Sequence, residues 1–235
     1  MAIMNGQNIL LLEDEANLAI IVKESLETKG FTVIHAATLA LARTQYHRQK
    51  PDIIIADVML PDGSGFDFVS HLRRTDTYTP VIFLTARSRT EDVVEGFEQG
   101  GNDYLKKPFS IAELIVRIKA LLQPNRILTG NDQSEPAAWK IGRFDFFYPS
   151  GELLINGAKK QLTSREADIL RLLVSVSNRF ISRNEVLQQL WGNNDFFSGR
   201  SLDVFISRLR GYFKEDASIK IMNVRGKGYK LINPG

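Results

Sequence analysis

The 235-residue chain is 43% hydrophobic and contains no cysteine, which is enough chain for two ordinary domains and excludes disulfides and zinc–thiolate sites. Its net charge of +3 hides an asymmetry, because residues 1–124 hold 13 basic and 16 acidic side chains whereas residues 138–235 hold 16 and 9. An acidic front half and a basic back half imply two domains with different partners, the second suited to a polyanion such as nucleic acid.

The opening MAIMNGQ lacks the basic-then-apolar layout of a signal peptide. No apolar run approaches the ~20 residues of a membrane helix. The expectation is therefore a cytoplasmic protein with no membrane partner. From there the chain alternates. Short apolar runs appear at NILLL (8–12), FTVIHA (31–36), DIIIAD (52–57), VIFLT (81–85) and DYLKK (103–107), with amphipathic helical stretches near 16–29, 38–48, 64–74, 90–99 and 110–122. Gly30 stands where a helix should end, and Ser110 with Glu113 spells a capping box at the start of the last helix. Continuous apolar strands imply cover on both faces, so five such units predict an α/β fold with a doubly wound five-stranded parallel sheet. The first domain is placed at 1–124. Residues 125–138 read as a linker rich in Pro, Gly, Asn and Ser, and 139–235 as the second domain. In it, 139–163 reads as short strands joined by Ser-Gly and Asn-Gly turns. Helical patterns follow near 164–176, 183–191 and 199–213, with capping boxes at Thr163/Glu166 and Ser182/Glu185. The segments KIMNV and GYKLI around Arg-Gly-Lys-Gly predict a terminal β-hairpin.

In an open parallel sheet, ligands gather at the carboxyl ends of the strands, where strand order switches. There the first strand ends in Glu13-Asp14-Glu15, the third in Asp57 and the fourth in Thr85, while the fifth leads to Lys107. Carboxylates so crowded repel one another unless a hard dication sits among them, and oxygen ligands with room for water suit Mg²⁺. A carboxylate beside Mg²⁺ with an ammonium nearby can take up a phosphoryl group, the cations neutralising its oxygens.

LLLEDE, DIIIADVMLPDGSG, VIFLTAR and DYLKKPF resemble the signatures of a two-component response-regulator receiver domain. The resemblance implies a phosphoacceptor at Asp57 and a partner histidine kinase. It implies Mg²⁺ held by Glu13, Asp14, Asp57 and the backbone carbonyl of Met59, Lys107 paired with the phosphoryl group, and Thr85 with Tyr104 as a switch pair whose aromatic ring turns inward. Asp103 and Arg117 keep the residue types of a family ion pair on the dimer surface. Val93 after Asp92 replaces a common basic residue, which removes a partner for the position of Glu113 and predicts a weaker or less phosphate-dependent homodimer than usual.

In the second domain, Leu202, Phe205, Ile206, Leu209, Tyr212 and Phe213 follow helical spacing and should face a core. Arg200, Val204, Ser207, Arg208 and Gly211 occupy the other face. Such a face can enter a major groove, with Arg208 bidentate on guanine and Arg200 and Ser201 nearer to phosphates. LTSREADILRLL, ISRNEVLQQLWG, RSLDVFISRLR and VRGKGYKL resemble the winged-helix (winged helix-turn-helix) DNA-binding domain of OmpR/PhoB-type regulators. The resemblance implies that 199–213 is the recognition helix, with Arg208 a base reader, Trp191 and Arg200 backbone contacts and Arg225 in the minor groove. It also implies double-stranded promoter DNA, and RNA polymerase as a further partner. Phe205 and Ser207 depart from the residues common at their positions.

Two other readings stay open from the residues. A Mg²⁺-dependent phosphatase with an aspartyl-phosphate intermediate fits the acidic pocket, but Met59 offers no acid where such enzymes often carry a second Asp. A flavodoxin-like FMN binder shares the sheet, but the acidic pocket opposes a phosphate unless a metal is present. The expectation is a phosphorylation-controlled DNA-binding regulator, not an enzyme turning over outside substrates.

Overall fold

A computed structural model describes residues 6–86, 96, 99–122, 138–192, 196–225 and 227–234. The chain divides into two units, Met1–Leu122 and Gln123–Gly235. Of the helix expected near 90–99 only Gly96 and Gln99 are among the described residues, and of the linker only Ala138.

The first unit runs β1 (Asn8–Leu12), α1 (Ala16–Glu27), β2 (Thr32–Ala36), α2 (Leu39–Arg48), β3 (Ile53–Asp57), α3 (Gly65–Leu72), β4 (Val81–Thr85), β5 (Asp103–Lys106) and α4 (Ile111–Leu122). The strands form one parallel sheet in the order β2-β1-β3-β4-β5. Ile9, Leu11, Ile53, Ile55, Ile82 and Leu84 are fully buried against Val22, Leu114 and Ile118 of the helices. Each such side chain contributes roughly 1.5–3 kcal/mol. This is why the central strands read as unbroken apolar runs rather than alternating ones.

The order places β1 beside both β2 and β3, so the chain departs to opposite sides of β1 and leaves a crevice at its carboxyl end. Helix starts on that side are fastened locally. The Asp62 carboxylate accepts the N–H groups of Leu39 and Ala40 at the start of α2, at 2.8 and 3.0 Å, and Ser64 accepts from Phe66 at the start of α3. The capping box expected at Ser110/Glu113 is only half made. Ser110 Oγ accepts the Glu113 N–H at 3.0 Å, but the Glu113 carboxylate turns to Arg117 instead.

The second unit begins with an antiparallel meander of β6 (Ala138–Ile141), β7 (Phe144–Phe147), β8 (Glu152–Ile155) and β9 (Ala158–Gln161). Asn156 and Gly157, at φ 50° and 80°, make the left-handed turn between β8 and β9 that an Asn-Gly pair permits. Helices α5 (Ser164–Ser175), α6 (Arg183–Trp191) and α7 (Phe196–Tyr212) follow, then a hairpin of β10 (Lys220–Val224) and β11 (Gly228–Ile232). Both capping boxes, Thr163/Glu166 and Ser182/Glu185, are complete. Helix α7 starts at Phe196, three residues before its expected start. Its inner face is the expected one: Leu202, Phe205, Ile206, Leu209 and Phe213 are buried, with Tyr212 only partly so. A methyl group on Gly211 would meet nothing within 4 Å, so no packing reason for this helical glycine is found.

Candidate functional site: an acidic pocket and a basic helix–hairpin face

The pocket of the first unit is assembled at the carboxyl ends of β1, β3 and β5. Carboxylate oxygens of Glu13, Asp14 and Asp57 lie within 4.8 Å of one another. The residue after β5, Lys107, reaches back so that its Nζ donates to Glu13 Oε2 at 2.8 Å and to Asp57 Oδ2 at 2.6 Å. Burial pushes the Glu13 carboxyl up, with Lys107 working the other way. Burial also works against the Lys107 ammonium, but its hydrogen bonds to Asp57 and Glu13 prevail and raise its pKa.

One ammonium against three carboxylates leaves the cluster net negative. The donor set is all oxygen, which fits a hard dication such as Mg²⁺ and not a thiolate or imidazole metal. Met59 turns its side chain outward, 60% exposed, while its N–H donates to Asp57 Oδ1 at 3.0 Å; only its backbone faces the carboxylate.

Two features of the pocket had no sequence signal strong enough to read. The His35 ring donates Nε2–H to the Glu13 carbonyl at 2.7 Å, bracing the acidic loop from β2. Gly65 lies so close to β3 that a Cβ there would stand 2.1 Å from the Asp57 carbonyl oxygen.

Thr85 and Tyr104, the expected switch pair, are both buried. The Tyr104 ring is turned inward, 6.4 Å from the Phe83 ring centroid. Asp103 and Arg117 differ from expectation. They are not an exposed pair awaiting a second copy: each side chain is 1% exposed, and Arg117 Nη1 donates to Asp103 Oδ1 at 3.0 Å within the chain. Arg117 also holds Glu113 at 2.8 Å. The cause is packing, because β5 and α4 bury the guanidinium where only in-chain carboxylates can satisfy it.

In the second unit, the end of α6, α7 and the hairpin carry the residues expected to meet DNA. Arg200 and Arg225 are exposed and Val204 is partly buried. Two of the expected contacts are corrected. Trp191 is fully buried at the end of α6, between the Arg165 guanidinium, 4.5 Å from its ring, and the Phe205 ring, 6.4 Å away. Ser201 is also fully buried, on the inner side of α7. Neither reaches the surface, because both sit where helices pack against one another.

Arg208 is half-buried and braced. Its Nη1 donates to Glu166 Oε1 at 3.2 Å, and the Tyr212 hydroxyl donates to the same oxygen at 3.3 Å. The other Glu166 oxygen accepts the Thr163 N–H at 2.8 Å, as the capping box requires. One buried carboxylate therefore caps α5 and holds a guanidinium of α7. The capping box was legible in sequence; the second task was not, because Glu166 and Arg208 meet only in the fold.

The comparisons with known proteins match both units. A family described as "Response regulator receiver domain" matches residues 9–119, and one described as "Transcriptional regulatory protein, C terminal" matches residues 157–231. The chain is 38% identical over 226 residues to the transcriptional regulatory protein RprY of Bacteroides fragilis, covering 96% of this chain and 94% of that one. It is 33% identical over 230 residues to the phosphate regulon transcriptional regulatory protein PhoB of Escherichia coli, covering 96% and 98%. A solved structure of a mutant RitR superposes with a TM-score of 0.74 at 25% identity, covering 96% of this chain and 99% of that one. RprY and PhoB are transcriptional regulators rather than turnover enzymes, and among the described residues no helix is long and apolar enough to cross a membrane. With a receiver domain in front and a DNA-binding domain behind, the chain belongs to the response regulators of the OmpR/PhoB type, the phosphorylation-controlled regulators of transcription.

Proposed function

We propose that a partner histidine kinase transfers a phosphoryl group to the Asp57 carboxylate, and that the phosphorylated receiver favours pairing with a second copy so that two winged helices occupy DNA half-sites about one turn apart. The observation that carries this reading is the Lys107 ammonium held 2.6 Å from Asp57 and 2.8 Å from Glu13, at the mouth of an all-oxygen cluster. Glu13, Asp14, Asp57 and the Met59 carbonyl would hold Mg²⁺, which supplies neutralising charge for the phosphoryl oxygens. An Asp57 carboxylate oxygen attacks phosphorus as the bond from phosphorus to the donor histidine nitrogen breaks. Lys107 then follows the charge from the carboxylate to a phosphoryl oxygen. Thr85, at the end of the neighbouring strand, can turn its hydroxyl to a phosphoryl oxygen in that state, and this differential contact biases the equilibrium that Tyr104 reports. Residues 1–124 form the regulated part, 125–138 the linker and 139–235 the effector.

On the DNA side, Arg200, Val204 and Arg208 of α7 and Arg225 of the hairpin form the reading surface, Arg208 approaching a base from its brace on Glu166. A regulator so bound beside a promoter has RNA polymerase as its neighbour. Asp57→Asn is expected to abolish phosphorylation by acetyl phosphate with Mg²⁺, followed as a mass increase of the intact chain. A variant that still gains the phosphoryl group overturns the assignment of Asp57.

A further inference from the structure

Three elements of the second unit converge on a single side chain that the DNA-contact set omits. Arg183 is the first residue of α6. Its guanidinium grips Asp203 of α7 with both ends, Nη1 to Oδ1 at 2.6 Å and Nη2 to Oδ2 at 3.0 Å. Nη2 also donates to the Gly199 carbonyl, one turn earlier on α7, and Nη1 to the Tyr229 hydroxyl on β11. That hydroxyl in turn donates to Asp203 Oδ1 at 3.3 Å.

The base of the hairpin is fastened beside the same spot. Ile181 and Tyr229 exchange backbone hydrogen bonds of 3.0 and 2.9 Å. Gly228 permits this approach, since a Cβ there would stand 2.2 Å from the Ile181 carbonyl oxygen. Beside that bridge a cleft of about 280 Å³ lies between the hairpin and the start of α6, and Lys227 and Lys230 of the hairpin stand over the Phe180 ring.

We propose that Arg183 is a positioning residue for DNA recognition: through Asp203, Gly199 and Tyr229 it sets the angle and spacing between the recognition helix and the wing. A planar fork with five donors can hold a carboxylate bidentately and still serve two further acceptors, whereas an ammonium cannot. Helix and wing must enter neighbouring grooves together, so an error in their spacing costs base discrimination more than it costs general attraction to phosphates. Asp203 sharpens the point. It is an acid, half-exposed at 47%, on a helix whose outer face carries Arg200 and Arg208, where it opposes a polyanion. Its gain is geometric, not electrostatic.

The inference rests on the DNA-binding reading, and the test separates the two. The full chain selects duplexes from a random-sequence library, and wild type and variants are then measured on the selected duplex and on an unrelated one, across a salt series. If wild type selects nothing, the DNA-binding reading fails and this inference with it. Given a selected site, Arg183→Ala, Arg183→Lys, Asp203→Asn and Tyr229→Phe are each expected to lower the specific-to-nonspecific ratio, by about tenfold or more for the Arg183 and Asp203 changes. Asp203→Asn is expected to do so while affinity for the unrelated duplex holds or rises, a signature that general unfolding cannot produce.

The salt slope should stay at the wild-type value throughout, whereas a direct phosphate contact by Arg183 would lower it by about 0.9 in Arg183→Ala and be rescued by Arg183→Lys. That rescue, or unchanged discrimination in Asp203→Asn and Tyr229→Phe, overturns the proposal.

Discussion

Gly65 opens α3 immediately behind Asp57, and a methyl group on it would stand 2.1 Å from the Asp57 carbonyl oxygen, far inside van der Waals contact. Backbone cannot yield as the tip of a flexible side chain can, so Gly65→Ala must displace either β3 or the start of α3. The expected outcome is a destabilised receiver, by roughly 1–3 kcal/mol for an overpacked site, and slower phosphorylation because Asp57 shifts relative to Lys107. Urea unfolding and acetyl-phosphate labelling of the same variant check it; wild-type behaviour in both would contradict the close approach. Asp57 depends in the same way on residues that are silent alone. Its carboxylate is held by the Met59 N–H at 3.0 Å and Lys107 at 2.6 Å, and Glu13 opposite is braced through its backbone by His35. The acids and the lysine were legible because chemistry demands those residue types at strand ends. His35 and the tightness at Gly65 were not, because they depend on distances between β1, β2 and β3 rather than on order along the chain.

At the scale of elements, α5 is the unusual helix, burying Arg165, Glu166, Asp168 and Arg171 along with its apolar side chains. Burial lifts the Asp168 carboxyl to about 6, against Arg165, the Tyr148 hydroxyl and Arg171, which favour its charged form. The sign follows from linkage. Between the ordinary aspartate range and about pH 6 the folded form binds the proton more tightly than the unfolded chain does. Stability therefore falls as pH rises through this window, by at most about 3 kcal/mol. No histidine occurs in residues 138–235 to titrate beside it. Asp216, held down to about 2 chiefly by Ser218, loses its contribution only below pH 4. Denaturant unfolding of the second unit's transition, wild type against Asp168→Asn, should show the slope between pH 4.5 and pH 6.5 in wild type and its loss in the variant; equal slopes would refute the assignment. The sequence pattern marks α5 as a helix through its capping box. It does not mark the helix as central, because four charged residues read as a solvated face until other elements are seen to enclose them.

For the whole molecule, the relevant question is what a second copy would hold on to. Arg117 is committed to Asp103 and Glu113 of its own chain, and both members of the Arg117–Asp103 pair are 1% exposed. Recruiting either to bridge two chains would first break a buried ion pair, which costs on the order of 3–5 kcal/mol. Together with Val93 in place of a basic residue, this predicts a weak receiver dimer. Sedimentation velocity with Mg²⁺, with and without beryllium fluoride as the phosphoryl mimic, should show a mainly monomeric chain at low micromolar concentration, the mimic shifting it toward dimer only at higher concentration. A tight dimer formed only with the mimic would refute the prediction.

The sequence by itself determined the two-domain plan, the parallel sheet, the acid–lysine pocket and the inner face of α7. Each of these rests on local rules: apolar runs for strands covered on both faces, helical spacing for buried stripes, and residue types that only one chemistry uses together. Only the tertiary structure decided which charged and polar side chains are available to partners. It buried Trp191 and Ser201, turned Asp103 and Arg117 toward each other, bound Arg208 to Glu166, and gathered α6, α7 and the wing around Arg183. The reason is physical. A buried charge or polar group must find a partner wherever the fold supplies one, and these partners stand 14 to 46 residues apart in the chain, beyond the reach of any local pattern.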